Sequence, residues 1–112
     1  MDQKEAFRIV KDFVKFLRGK GYNVQKAYIF GSYAKGIHNE DSDIDLAIIL
    51  KNLQNGYLMQ IDLMKLSRRF DSRIEPHPFD EEDFRHLSYP LVREILQTGV
   101  PVILKNSGSK LK

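Results

Sequence analysis

The sequence predicts an α/β (α+β) domain of two layers, a mixed β-sheet flanked by helices. Three observations predict it. Residues 3–20 carry Ala6, Ile9, Val10, Phe13, Phe16 and Leu17 at helical spacing, the mark of an amphipathic helix. Apolar runs at 24–30, 43–50 and 73–79 have strand length. Helical segments separate these runs, giving the order α, β, short α, β, α, β, α, α and a short terminal β, which builds a layered sheet.

Each element has its local reason. Gly19 and Gly21 end the first helix. Its charged face carries Lys4, Arg8, Lys11, Lys15 and Arg18. Such a stripe can meet an acidic partner or RNA, but it reads first as a solvated helix face. Val24–Phe30 forms the first strand, and Gly31-Ser32 closes its apolar end. Ser32 is a suitable N-cap for a short helix through Tyr33, Ala34 and Lys35 that stops near Gly36. In the second strand Ala47 and Ile49 occupy one face, Ile48 and Leu50 the other. A strand apolar on both faces is buried on both sides, so Asp43 and Asp45 stand at its exposed beginning.

A turn-rich stretch from Asn52 to Gly56 leads to a helix over 57–70, with Leu58, Ile61, Leu63, Leu66 and Phe70 expected toward the core. Arg68 and Arg69 near its end suit the helix dipole. The third strand, 73–79, contains Pro76 and Pro78. Proline cannot donate to a sheet ladder, so this strand belongs at an edge or stops early. The acidic run Asp80-Glu81-Glu82-Asp83 reads as a helix start, with Phe84 and Leu87 following at helical spacing. Pro90 opens another helix through Leu96, Gly99 ends it, and 100–104 forms a short terminal strand. The domain is thus 1–104. The polar tail 105–112 is expected to be disordered.

The chain of 112 residues fits one domain with a modest core. Hydrophobic content of 42% and charged content of 29% are ordinary for a globular protein. No window approaches the roughly 18 apolar residues of a membrane span, and Asp2, Lys4 and Glu5 interrupt any leader-like run. The chain has no cysteine, which excludes disulfides and thiolate–metal sites. A cytoplasmic protein is the simplest reading. The net charge of +3 permits nucleic-acid binding without favouring it. His38, His77 and His86 show no zinc-ligand spacing. His38 precedes the acids and His77 shares the face of Glu75, so either can touch a nucleotide, although a plain hydrogen-bonding role is the simpler one.

Two patches carry chemistry. Residues i and i+2 of a strand share a face, so Asp43 and Asp45 project side by side. Carboxylates so placed repel unless a cation lies between them, and hard oxygen ligands suit Mg²⁺, with Mn²⁺ an alternative. Gly31 lets the backbone approach a ligand. Ser32 adds a hydroxyl at a helix N-terminus, where free N–H groups favour phosphate. Lys35 reads as a solvated lysine.

The pattern strand, Gly31-Ser32, short helix, Gly36, loop, Ser42-Asp43-Ile44-Asp45, apolar strand resembles the nucleotidyltransferase superfamily typified by DNA polymerase β, in its minimal single-domain form, over about residues 3–104. The resemblance implies the nucleotidyltransferase fold, ATP or another nucleoside triphosphate as substrate, two Mg²⁺ ions, and transfer of a nucleotidyl group to a hydroxyl with pyrophosphate leaving. It implies that Asp43 and Asp45 hold metal and that Gly31 and Ser32 cradle the triphosphate. It also implies a third carboxylate on a later strand, for which Glu75 is the candidate, as metal ligand or as base. Larger relatives add domains that hold the acceptor. Here the sheet and helices consume the length, so a partner or a second copy is expected to grip it. Minimal members pair with HEPN proteins in toxin–antitoxin modules, where the transferase adds AMP to a tyrosine of the toxin. Three readings follow: a protein-modifying antitoxin, a non-catalytic binding module of the same fold, and transfer to RNA or a small hydroxyl compound.

Overall fold

The computed structural model describes residues 1–104. The element order is α1 (Gln3–Gly19), β1 (Val24–Phe30), α2 (Ser32–Lys35), β2 (Ile44–Leu50), α3 (Gly56–Ser67), β3 (Ile74–Asp80), a single 3-10 turn (Asp83–Arg85), α4 (Pro90–Thr98) and β4 (Val100–Pro101). The four strands form one sheet in the order β3-β2-β1-β4. β1 is antiparallel to β2 and to β4, while β2 and β3 run parallel. The mixed sheet with flanking helices matches the fold class the pattern predicts. The expected tail lies outside the described residues.

The two faces of β2 go to two different cores. Ile44, Leu46, Ile48 and Leu50 join Ala6, Val10, Phe13, Val14 and Leu17 of α1 and Leu63 of α3. Ala47 and Ile49 join Phe30, Phe84, Val92 and Ile95 beneath the 3-10 turn and α4. Asp45 belongs to this second face. The smaller cap leaves the Asp45 end of the face half-exposed.

The end strand β3 tolerates its prolines because of its position. Glu81 donates its N–H to Leu50 O at 2.8 Å, so the odd-numbered residues direct their N–H groups toward β2. Pro76 and Pro78 therefore turn their missing donors to the free edge. The Pro76 carbonyl on that edge accepts from Gln60 Nε2 of α3 at 3.1 Å, so α3 covers the edge.

Several local expectations need correction. α3 turns Leu63 and Ser67 fully inward, with Met59, Leu66 and Phe70 partly buried against the core. Leu58 is 59% exposed and Ile61 36%, so neither is a core residue. Periodicity finds an apolar stripe, but α3 carries apolar residues nearly all round, and only its pairing with β3 chooses the inward side. The acidic run does not start an α-helix. Asp80 ends β3 and its carboxylate accepts from Leu53 N at 2.8 Å and Glu82 N at 2.9 Å, which holds its pKa below the ordinary range. A single 3-10 turn follows, and Leu87 is 58% exposed. The terminal strand shrinks to Val100–Pro101, prolonged by one bond from Val102 N to Ala27 O. At α1, Arg18 of the basic stripe is engaged rather than solvated, donating from Nε and Nη2 to Val24 O at 3.0 and 2.9 Å.

Tyr22, in the α1–β1 connection, donates its hydroxyl to Asp62 of α3. This hydrogen bond, with burial and the negative charge beside it, pushes the Tyr22 pKa up to about 12. A raised folded-state pKa contributes stability below the unfolded value of about 10 and loses it as pH rises through the folded one. The stability difference between wild type and Tyr22→Phe is therefore expected to be full at pH 9 and to vanish between about pH 10 and pH 12. Urea unfolding followed by circular dichroism across that range measures it. A gap independent of pH would show that the hydrogen bond does not contribute.

Candidate active site

The site forms where three strand ends meet. Register sets Asp45 of β2 opposite Phe30 of β1 on one side and opposite Glu75 of β3 on the other. Glu75 and His77, two residues apart on β3, share a face. His77 lies opposite Ala47, whose small side chain leaves room for the imidazole to lean back toward the acids. His77 Nε2 stands 3.3 Å from Asp45 Oδ1 and 3.2 Å from Glu75 Oε1. Ligand atoms of Asp45, Glu75 and His77 all lie within 4.8 Å of one another. The side chains are partly exposed, 27% for Asp45, 42% for Glu75 and 24% for His77. The Phe30 ring meets the imidazole edge-on, with centroids 5.2 Å apart.

Gly31 shapes the wall of this cluster. Its φ of +75° and ψ of −150° belong to a region that only glycine enters readily. A Cβ at this position would lie 2.5 Å from Asp45 Oδ2. The backbone at Gly31 thus packs directly against the carboxylate, and both conformation and space demand glycine. Gly31, not Ser32, is the N-cap of α2, and no side chain caps the helix. The expectation that Ser32 caps is therefore corrected. Ser32 is the first helical residue because the positive φ of Gly31 makes the turn itself. Gly36 ends α2 in the left-handed conformation, as expected.

Asp43 lies one residue before β2 and is exposed, outside the cluster of Asp45, Glu75 and His77. The strand expected from residue 43 begins at Ile44, whose N–H bonds to Arg73 O at 2.7 Å. Asp43 is thus exposed just ahead of the strand, and Asp45 is half-buried within it. Arg73 is not available to the site. It forms a fork with Asp71 at 2.9 and 3.0 Å, which lowers the Asp71 pKa and raises that of Arg73. Lys35 is exposed and reaches Glu94 of α4 at 3.9 Å, a surface pair of small energetic weight. His38 stacks on Tyr33 with ring centroids 3.9 Å apart, and Tyr33 Oη and His38 Nδ1 are buried without a partner.

The residue that sequence reasoning undervalued is His77. The signal was its i+2 relation to Glu75, but only strand pairing reveals that its ring closes on Asp45 as well. Two carboxylates and an imidazole within ligand range suit a divalent cation, and the half-exposed setting leaves room for further ligands from a substrate.

The family "Polymerase beta, Nucleotidyltransferase" matches residues 11–108. The chain is 32% identical over 90 residues to protein adenylyltransferase MntA of Shewanella oneidensis, covering 77% of this chain but only 58% of that protein. It is 30% identical over 101 residues to a Methanocaldococcus jannaschii protein provisionally named a protein adenylyltransferase, covering 88% and 96% respectively. Among solved structures, a toxin–antitoxin with AMP-PNP superposes with a TM-score of 0.64 at 24% identity, covering 86% of this chain and 74% of that one. At that identity the likeness is one of fold.

Replacing Gly31 by Ala is expected to lower stability by about 1–3 kcal/mol through backbone strain and to displace the Asp45 carboxylate. Thermal unfolding reads the first effect. An unchanged melting temperature would show that the backbone is not held in this conformation.

Proposed function

The chain belongs to the polymerase β nucleotidyltransferase family, and on that premise we propose that it transfers AMP from ATP to a hydroxyl of a partner protein, a tyrosine of the toxin whose antitoxin it is. The observation that carries this reading is the convergence of Asp45 and Glu75 beside the glycine-walled turn at Gly31. The name of the Shewanella relative supports protein adenylylation. The toxin–antitoxin with AMP-PNP supports a partner protein and an adenine nucleotide.

In this reading Asp43 and Asp45 would hold the cation, and Glu75 would supply the third carboxylate. Two Mg²⁺ ions, with Mn²⁺ an alternative, would screen the triphosphate from these acids and polarise the α-phosphate. The N–H groups following Gly31 and the Ser32 hydroxyl orient the phosphates, which is mostly a matter of positioning and charge. The acceptor oxygen bonds to the α-phosphorus, the bond to pyrophosphate breaks, and the hydroxyl proton passes to a carboxylate oxygen of Glu75. In this reading the partner protein presents the acceptor hydroxyl at the half-exposed site, as the toxin–antitoxin neighbour supports.

Calorimetric titration of ATP tests this reading. Binding is expected to require Mg²⁺ and to disappear in the double variant Asp43→Asn/Asp45→Asn. Asp43→Asn alone, exposed as it is, should leave folding intact and abolish transfer. ATP binding indifferent to metal and to both aspartates would remove the site, and would favour a module that acts on its partner by contact alone.

A second comparison tests the third acid. Glu75→Gln is expected to lower transfer by 10²-fold or more, as loss of a proton acceptor commonly does. Glu82→Gln, which alters an exposed carboxylate paired with Arg85, should leave it near wild type. The reverse order would transfer the role to the acidic run after β3.

A further inference from the structure

We propose that His77 is itself a metal ligand, so that with Asp45 and Glu75 it forms a facial site of one nitrogen and two carboxylates selective for a first-row transition-metal cation over Mg²⁺. The inference rests on the cation-dependent reading of the same site and adds to it which ion the site prefers. Nothing in the Asp-x-Asp pattern calls for a nitrogen donor, and only the pairing of β3 with β2 brings the ring to Asp45.

The contact from His77 Nε2 to Asp45 Oδ1 at 3.3 Å is a long hydrogen bond, and its length, with that of the second contact to Glu75, matches the spacing of ligands around an ion. A charge-assisted N–H···O bond closes to about 2.7–2.9 Å. Nε2 instead stands 3.3 Å from Asp45 Oδ1 and 3.2 Å from Glu75 Oε1. One N–H cannot point at both oxygens, and neither distance is that of a strong bond. Ligand atoms about 2.0–2.2 Å from a common ion, at octahedral or tetrahedral angles, lie about 2.8–3.6 Å apart. Both observed distances fall in that interval. The nitrogen is therefore spaced from each carboxylate as two ligands of one ion are spaced.

The surroundings hold the ring in this pose. His77 rises from β3 opposite Ala47, which is fully buried, so no larger neighbour deflects it. Phe30 packs against the ring edge-on at 5.2 Å, and the side chain is 24% exposed. Phe30 and His77 come from two strands that flank β2, so sheet pairing keeps the ring against the acids. Mg²⁺ favours an all-oxygen octahedron, whereas imidazole suits later first-row ions, whose affinity rises along the series from Mn²⁺ to Cu²⁺. Two carboxylates and a neutral imidazole also balance a divalent charge while leaving positions for phosphate oxygens.

The test uses Co²⁺, whose visible absorption reports its ligands, on the whole chain without nucleotide. Wild type is expected to bind Co²⁺ at least tenfold more tightly than Mg²⁺. His77→Ala and His77→Gln are each expected to lose tenfold or more in Co²⁺ affinity and to shift its absorption bands, while Mg²⁺ affinity changes by less than about threefold. His86→Gln, at an exposed histidine away from the site, should bind Co²⁺ as wild type does. Two His77 variants guard against a folding defect in one, and circular dichroism checks both. Equal Co²⁺ affinity and unchanged spectra in both His77 variants, or no Co²⁺ binding by wild type, would overturn the proposal. ATP binding with Mg²⁺ separates the two readings. If ATP fails to bind while the His77 effect persists, the metal site stands and the transferase reading falls. If ATP binds but Co²⁺ ignores His77, the transferase reading stands and the nitrogen ligand falls.

Discussion

The register of β2 is the constraint on which the rest of the molecule depends. β2 is paired on both sides, and the side-chain period of a strand is two residues. With Asp45 opposite Phe30 and Glu75, Leu46, Ile48 and Leu50 face α1 and α3, and Ala47 and Ile49 face α4. A slip by one residue would carry Asp45 into the core under α1, where a lone carboxylate costs several kcal/mol to bury. It would also turn Leu46 and Ile48 to the smaller cap. The same apolar residues that stabilise the sheet therefore aim the acid at solvent.

The two layers differ in extent, and the difference makes the site. α1 and α3 cover one face of the sheet with a large core. The 3-10 turn and α4 cover the other face only around Ala47, Ile49 and Phe79. Full coverage would have buried Asp45, Glu75 and His77 and raised the cost of their charge. Partial coverage leaves each of them reachable from solvent while the backbone beneath stays fixed by ladder hydrogen bonds. Gly31 completes the wall because its missing Cβ is where the Asp45 carboxylate packs.

Much of the fold was legible because its signals are local. The periodicity of α1, the double-faced apolar run of β2, Pro90 at the start of α4 and Gly36 at the end of α2 each reflect the residue's own backbone preference or spacing. The prolines of β3 signalled an edge for a reason that needs no partner. The misreadings share a different cause. Leu58 and Ile61 looked inward because α3 is apolar on several sides, and the choice among sides was made by β3 and Gln60. The acidic run looked like a helix start because acids favour first turns, yet Asp80 was claimed by the N–H groups of Leu53 and Glu82, one of them 27 residues away. Ser32 looked like a cap, but the positive φ of Gly31 had already made the turn.

The sequence alone determined the fold class, the strand that bears Asp45 and the turn at Gly31-Ser32, whereas the candidacy of Glu75 came with the family resemblance. The first three follow from spacing along the chain, which strand geometry converts directly into facing. Tertiary structure decided what lies against what. It set His77 within reach of Asp45, 32 residues away, and left Asp43 exposed outside the cluster. Pairing between strands has no signature within either one, because register is the outcome of burying both faces of β2 at once.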